Sequence, residues 1–539
     1  MTSTASIDIR RTSTAPIDPM IYGHFLESAF FGNIEGGVFD EGSPLSYDGP
    51  GARNGLRGDV IKLCRELGLP VVRWPGGNFT SPYHWEDGIG PRDRRPRRLE
   101  LAWGEEESNR FGTDEFLAWC NEVGTAPYLG HSCRDVDEAV RWVEYTNYGG
   151  DTEYTRQRAR NGHAEPYGVK YWGLGNEVYG QWQMGYRPAA AYAADAREHA
   201  QFMHAVDPSL KFVAVGLTDD RQGWTEEVLK AVGDRIDYLS FHLYGSTTQL
   251  VDGAAEYDAI VAQSQYFESR IQEYSALVSG LAARYGRERP LGLALDEWNI
   301  RHVEPEAWPD PLPSEDGGTA PRDVDGVPTD QRRRVNRWSP RTLADALFYA
   351  GVFHALHRAA GLDVPVTMAN TVNLLNANGV VVARPGGAVR AATYHVWDLY
   401  QNHLGPVALD VDVRSSARLA AVRQGDERDH HGEYQARSAT IPDLDVTATQ
   451  DGTSVKVAVI NRHRDAPITA RFTVDGRSDG LPARAAVKDL GADVDDVLAS
   501  NTLSAPDRVA LRDRGVVDVP DRTYDFPPHS ITLLSFDFS

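Results

Sequence analysis

The chain has 539 residues, 41% of them hydrophobic, and carries 55 lysines and arginines against 77 aspartates and glutamates, a net charge of −22. That acidic excess argues against nucleic acid or an anionic membrane surface as partner and favours a neutral small molecule or carbohydrate. No run reaches the ~20 apolar residues of a membrane span, and the length exceeds the roughly 100–200 residues of an ordinary domain, so a soluble protein of two domains, one of them large, is expected.

The first segment, "MTSTASIDIRRTSTAPID", lacks the apolar stretch of about 7–15 residues found in a secretory signal. A cytoplasmic location is the corresponding expectation. Eight short β-rich runs then follow: "MIYGHFLE" from 20, "LPVVRWPGGNF" from 69, "TAPYLGH" from 125, "GVKYWGLGNE" from 168, "LKFVAVGL" from 210, "RIDYLSFHLY" from 235, "LGLALDEWN" from 291 and "DVPVTMAN" from 363. Candidate helices separate most of them. "RGDVIKLCRELG" (57–68) sets Val60, Leu63, Cys64 and Leu67 on one face and closes on glycine, as a helix C-cap does. "SPRTLADALFYAGVFHALHRAAG" (339–361) offers Ser339 as N-cap and Pro340 at the first helical position. Eight βα units over 20–385 predict a (β/α)8 TIM barrel with insertions. From 386 to 539 the pattern becomes alternating strands with turn punctuation. Asp451-Gly452 marks a hairpin whose second strand sets Val455, Val457 and Val459 on one face. This second domain is read as an all-β sandwich, jelly-roll-like, which the spare strand in residues 1–19 joins.

Cys64, Cys120 and Cys133 form no CxxC pair, and the 16 histidines include no HExxH. Neither a disulfide framework, a cofactor nor a catalytic metal is expected. "HH" at 430–431 sits in a polar stretch and reads as an exposed loop.

Barrel enzymes carry their catalytic groups at the carboxyl ends of the strands. Glu177 ends the fourth run and Glu297 the seventh. Two such acids can face each other at about 5–5.5 Å, the separation of a double-displacement glycosidase. Either glutamate alone is better explained as a solvated or ion-paired side chain. The pair shares a context: each follows a buried-strand sequence and a polar neighbour (Asn176, Asp296), and each precedes a tryptophan (Trp182, Trp298) suited to stacking on a sugar. A dinucleotide fingerprint in "GLGNEV" fails, because Val178 stands where a third glycine is required.

With "IYGHFLE", "LRGDVIKLCRELGLPVVRWPGGNF", "WVEYTN", "GLGNE" plus "WQMG", "DYLSFHLY", "DEWN", "MANTVNLLN" and "TYHVWDLY" in this order, nearly the whole chain resembles glycoside hydrolase family 51, the α-L-arabinofuranosidases. The resemblance implies a retaining exo-hydrolase that releases terminal α-L-arabinofuranosyl residues. Glu177 matches the family's general acid/base, Glu297 its nucleophile, and Asn176 the amide that binds the sugar 2-hydroxyl. Arg73 and Tyr244 match residues that contact the nucleophile and favour its ionised form, while a charged partner should raise Glu177. Glu27 and Asn78 match groups that hydrogen-bond the furanose, His242 would lie near Glu177, and Trp298 would wall the sugar site. The family also implies a homo-oligomer, commonly a hexamer. Three departures surround the sugar: Asn373 where the family has glutamine, Tyr179 where it has aspartate, and "GHSCRD" (130–135) after the third strand. They leave open another furanoside, such as a D-galactofuranoside, or a glucan-cleaving relative. The proline- and charge-rich loop 303–338 is expected to shape the rim beyond the first sugar. Two other classes fit less well. A non-catalytic sugar-binding barrel would have lost an acid, and a metal-dependent hydrolase would need more ligands than His131 and His242 supply.

Overall fold

A computed structural model of the chain describes residues 4–28, 32–49, 55–218, 223–248, 254–287, 289–303, 335–336, 340–423 and 436–538. The eight β-rich runs form Gly23–Phe25, Val71–Trp74, Ala126–His131, Tyr171–Leu174, Lys211–Val215, Tyr238–Thr248, Gly292–Val303 and Val366–Thr371. They pair in that order, all parallel, and the eighth returns to the first, so the barrel closes. Strands such as "VVRW" and "YWGL" are buried along their whole length, as strands covered on both faces must be. Val71, Tyr128, Tyr171, Val213, Ala294 and Met368 cluster in the barrel interior and floor the space above them.

The helix expected over 57–68 spans Gly58–Leu67, and Gly68 closes it in the left-handed conformation with φ 75°, where glycine carries no Cβ penalty. The later helix begins further on than its proline suggests. It spans Leu343–Ala359, with Thr342 as N-cap: the Thr342 side chain accepts from the Asp345 N–H, and Asp345 answers the Thr342 N–H. This reciprocal capping satisfies two end donors, which Pro340 cannot do. Ser339, the histidine pair at 430–431 and nearly all of the 303–338 loop lie outside the described residues.

The sixth and seventh strands outrun the other six. Their pairing continues from His242↔Glu297 to Thr248↔Val303, and Val335–Asn336 adds a short antiparallel strand beside the seventh. Glu297 and Tyr244 therefore stand within strands that continue past the rim, whereas the fourth strand stops at Leu174 and leaves Glu177 in the turn beyond it.

The second domain is built on a nine-stranded sheet that includes Thr4–Pro16, set between Val407–Arg414 (antiparallel) and Ile468–Val474 (parallel). The spare N-terminal strand has its place there. Ile7, Ile9, Val455, Val457, Val459, Phe472, Leu534 and Phe536 share one core. Ala458 and Ile460, on the opposite face of the same strand, belong instead to the large core shared with the barrel helices, so period-two alternation joins the two domains. Among the described residues no helix is long and apolar enough to cross a membrane.

Candidate active site

The mouth of the barrel gathers four acids and two cations. Glu297 is buried, and Arg73, from the second strand, reaches it with Nη1 3.0 Å from Oε1. The Tyr244 hydroxyl donates to the other oxygen, Oε2, at 2.7 Å. Arg73 also donates to the Asp296 carbonyl (3.1 Å) and, through Nη2, to Asn176 Oδ1 (2.6 Å). Despite complete burial its guanidinium is held more firmly protonated than usual by Asp296, Tyr128 and Glu297. Asp296 is pulled down to about 2: burial opposes ionisation, but Arg73, His242 and the Ser240 hydroxyl outweigh it. Consecutive residues of a strand normally face opposite sides. The register shift between Ala294 and Glu297 lets both Asp296 and Glu297 turn inward.

His242 bridges the acids. Its Nδ1 lies 2.7 Å from Glu177 Oε1 and 3.5 Å from Glu297 Oε2, and its Nε2 lies 3.3 Å from Asp296 Oδ1. Burial disfavours the imidazolium, yet Glu297, Asp296 and Glu177 together raise His242 to about 10, so the ring is a cation at neutral pH. Glu177 itself sits at φ 44°, a left-handed conformation uncommon outside glycine and typical of strain held at a functional position. Oxygens of Glu177 and Glu297 lie within 4.8 Å of each other. With His242 they are the one trio among the described residues placed to ligate a metal ion.

Glu27, just past the first strand, accepts three hydrogen bonds at Oε1: from the Gly77 and Phe79 N–H groups (3.2 and 3.1 Å) and from Trp103 Nε1 (3.1 Å). The glycine pair admits this approach. A Cβ at Gly76, where φ is +146°, would stand 2.4 Å from Glu27 Cγ, and one at Gly77 would stand 2.7 Å from Glu297 Oε1. Gly77→Ala should therefore displace the Glu297 carboxylate and lower kcat by about 10²-fold, since small misplacements of reacting groups cost that much. Steady-state kinetics with circular dichroism on the folded variant checks this, and an unchanged kcat would refute the contact.

Asn78 is partly exposed at the start of the turn Asn78–Thr80. Asn176 uses Oδ1 on Arg73 and leaves a buried Nδ2 without a partner among the described residues. Asn373 donates to the Ala377 carbonyl at 2.9 Å, and its buried Oδ1 is similarly unpartnered. The Tyr179 hydroxyl lies 3.4 Å from Glu177 Oε1.

Trp298 departs from expectation. Its indole is fully buried on the helix side of the barrel against Phe267, Tyr349, Phe353 and Trp397, because strand alternation turns it away as Glu297 turns in. The indole that reaches the site is Trp103, in a loop with no periodic pattern to single it out. Asp296 and Tyr128, joined at 2.8 Å, were likewise not expected there; only the position of Asp296 beside Glu297 hinted at it. Trp182 is 42% exposed on the loop after Glu177.

A closed barrel with acids and a bound arginine at the carboxyl ends of its strands, joined to a β domain, has the build of a barrel glycoside hydrolase. Comparison with known proteins narrows the class. A sequence model described as the alpha-L-arabinofuranosidase 1 domain matches residues 63–261, and one described as the alpha-L-arabinofuranosidase C-terminal domain matches residues 296–530. The chain is 33% identical to alpha-L-arabinofuranosidase C of Emericella nidulans over 540 residues, 96% of this chain and 94% of that protein. It is 31% identical to an exo-alpha-(1->6)-L-arabinofuranosidase of Bifidobacterium longum, over 92% of this chain and 89% of that one. The crystal structure of an alpha-L-arabinofuranosidase from Thermotoga maritima in complex with arabinose superposes with a TM-score of 0.81 at 33% identity, covering 99% of this chain and 100% of that one. The chain belongs to glycoside hydrolase family 51, the α-L-arabinofuranosidases.

Proposed function

We propose that this enzyme releases terminal α-L-arabinofuranosyl units with retention of configuration, by double displacement between Glu297 and Glu177. The observation that carries the reading is that an oxygen of Glu177 and one of Glu297 lie within 4.8 Å of each other across the barrel mouth, which supports the close-set pair of a retaining enzyme, with carboxyl groups about 5–5.5 Å apart, over the roughly 6.5–9.5 Å of an inverting one. Glu297, steadied by Arg73 and Tyr244, attacks the anomeric carbon while Glu177 protonates the departing oxygen. The bond to the aglycone breaks and an ester to Glu297 forms. Water then attacks the same carbon, gives its proton to Glu177 and frees Glu297. His242 Nδ1, 2.7 Å from Glu177 Oε1, holds the acid/base carboxyl in place.

The unpartnered Nδ2 of Asn176 supports its assignment to the sugar 2-hydroxyl. Glu27, Asn78 and Asn373 are assigned to the remaining furanose contacts, with Trp103 as the aromatic wall. The exo preference accords with the relative named for it.

Proton NMR of the first-formed sugar tests the reading, using a panel of aryl furanosides that includes a D-galactofuranoside. The expected result is α-arabinofuranose as the initial product. An inverted anomer, or activity confined to a different furanoside, overturns it.

A further inference from the structure

Arg301 stands four residues beyond Glu297 on the seventh barrel strand, where that strand still pairs with the sixth. Its guanidinium carbon lies 3.6 Å from the centroid of the Tyr244 ring, a close stacked contact. That ring's hydroxyl donates to Glu297 Oε2. A cation on the face of a phenol is held by the ring's π charge. It also draws electron density from the ring and makes the O–H a stronger donor. The direction agrees with the local electrostatics: burial and the Glu297 charge push the Tyr244 hydroxyl well above its ordinary range, and Arg301 works against that rise.

We propose that Arg301 is a positioning residue that acts through Tyr244: it fixes the ring, strengthens the hydrogen bond to Glu297, and thereby favours release of the sugar from Glu297 over attack by Glu297. The inference rests on the double-displacement reading. In the first step the carboxylate loses charge as its bond to the anomeric carbon forms, so a stronger donor holds it back. In the second, that bond breaks, its electron pair returns to the carboxylate as water adds, and the donor stabilises the growing charge. Arg73, His242 and Asp296 also face Glu297 or its neighbours, but none of them stacks on the phenol. Opposite effects on two steps are a signature that a mere packing role does not produce.

The test uses a dinitrophenyl arabinofuranoside, whose good leaving group makes the second step limiting, with Arg301→Met, Arg301→Lys, Tyr244→Phe and the Arg301→Met/Tyr244→Phe double variant. Arg301→Met should lower kcat about three- to tenfold, the range of a partly buried cation–π contact. KM should fall in proportion and kcat/KM should hold or rise, while Arg301→Lys recovers part of the loss. In the Tyr244→Phe background the same change should alter kcat by less than about twofold, because the hydroxyl through which Arg301 acts on Glu297 is already gone. A fall in kcat/KM with a raised KM, or an undiminished loss in the Tyr244→Phe background, overturns the proposal. Failure of the underlying mechanism is read separately, as an inverted product from the unaltered enzyme.

Discussion

Glu297→Gln is expected to abolish turnover on every glycoside, with a loss on the order of 10⁴-fold or more, as when other covalent nucleophiles are removed. The substitution keeps the shape of the side chain and an acceptor for Arg73 or Tyr244, but the amide has no charge to bring to the anomeric carbon. Leaving-group quality cannot compensate, because the missing element is the attacking group. The fold should survive. Arg73 keeps the Asp296 carbonyl at 3.1 Å, the Asp296 carboxylate at 3.7 Å and Asn176 at 2.6 Å, so its buried charge is not stranded. Thermal unfolding, run beside the assay, separates loss of chemistry from loss of structure. Mass spectrometry of the variant with an activated substrate should find no glycosyl adduct. A persisting adduct would move the nucleophile elsewhere.

Glu177→Ala should behave differently, because an acid/base serves the two steps unequally. An aryl leaving group of low pKa departs with little protonation, so the glycosyl-enzyme should still form at a measurable rate. Hydrolysis then lacks its base and slows by about 10²–10⁴-fold. The expected trace is a burst followed by slow turnover, with a lowered apparent KM. Azide needs no deprotonation, and it should restore the rate and give a glycosyl azide of the substrate's configuration. Among the described residues, His242 is a competitor for the vacated role. His242 Nδ1, freed of its 2.7 Å contact with Glu177, is already 3.5 Å from Glu297 Oε2. Two of the three acids that hold its proton, Glu177 and the esterified Glu297, carry no charge in that intermediate and Asp296 alone remains, so the slow residual turnover is expected to use this ring as base. If azide instead rescues Glu297→Gln with a product of the substrate's configuration, while Glu177→Ala gives the inverted azide or stays inert to it, the two roles are exchanged.

The eight apolar runs specified their strands, because a strand covered on both faces must be apolar throughout and shows that in its local composition. The order of those runs, with a glutamate closing the fourth and seventh, indicated a barrel and two acids at its mouth before any contact was known. Arg73, His242 and Tyr244 were expected near the two glutamates by resemblance, and all three contact Glu297 or Glu177, while Glu27 is held by the Gly77 and Phe79 N–H groups. What needed tertiary structure were features made by chain segments far apart or by irregular backbone. Period-two alternation alone gives no reason for Asp296 to point the same way as Glu297, and a register shift against the neighbouring strand brings it inward. Trp298 looked like a sugar wall from its place beside Glu297, but the same alternation turned its indole to the helices, and Trp103 arrived from a loop without periodicity. The proton on His242 was equally invisible, since a lone histidine's charge depends on what closes around it. Only the barrel brings Glu177, Asp296 and Glu297 within reach of one ring, and their combined field at short range outweighs the cost of burying a cation.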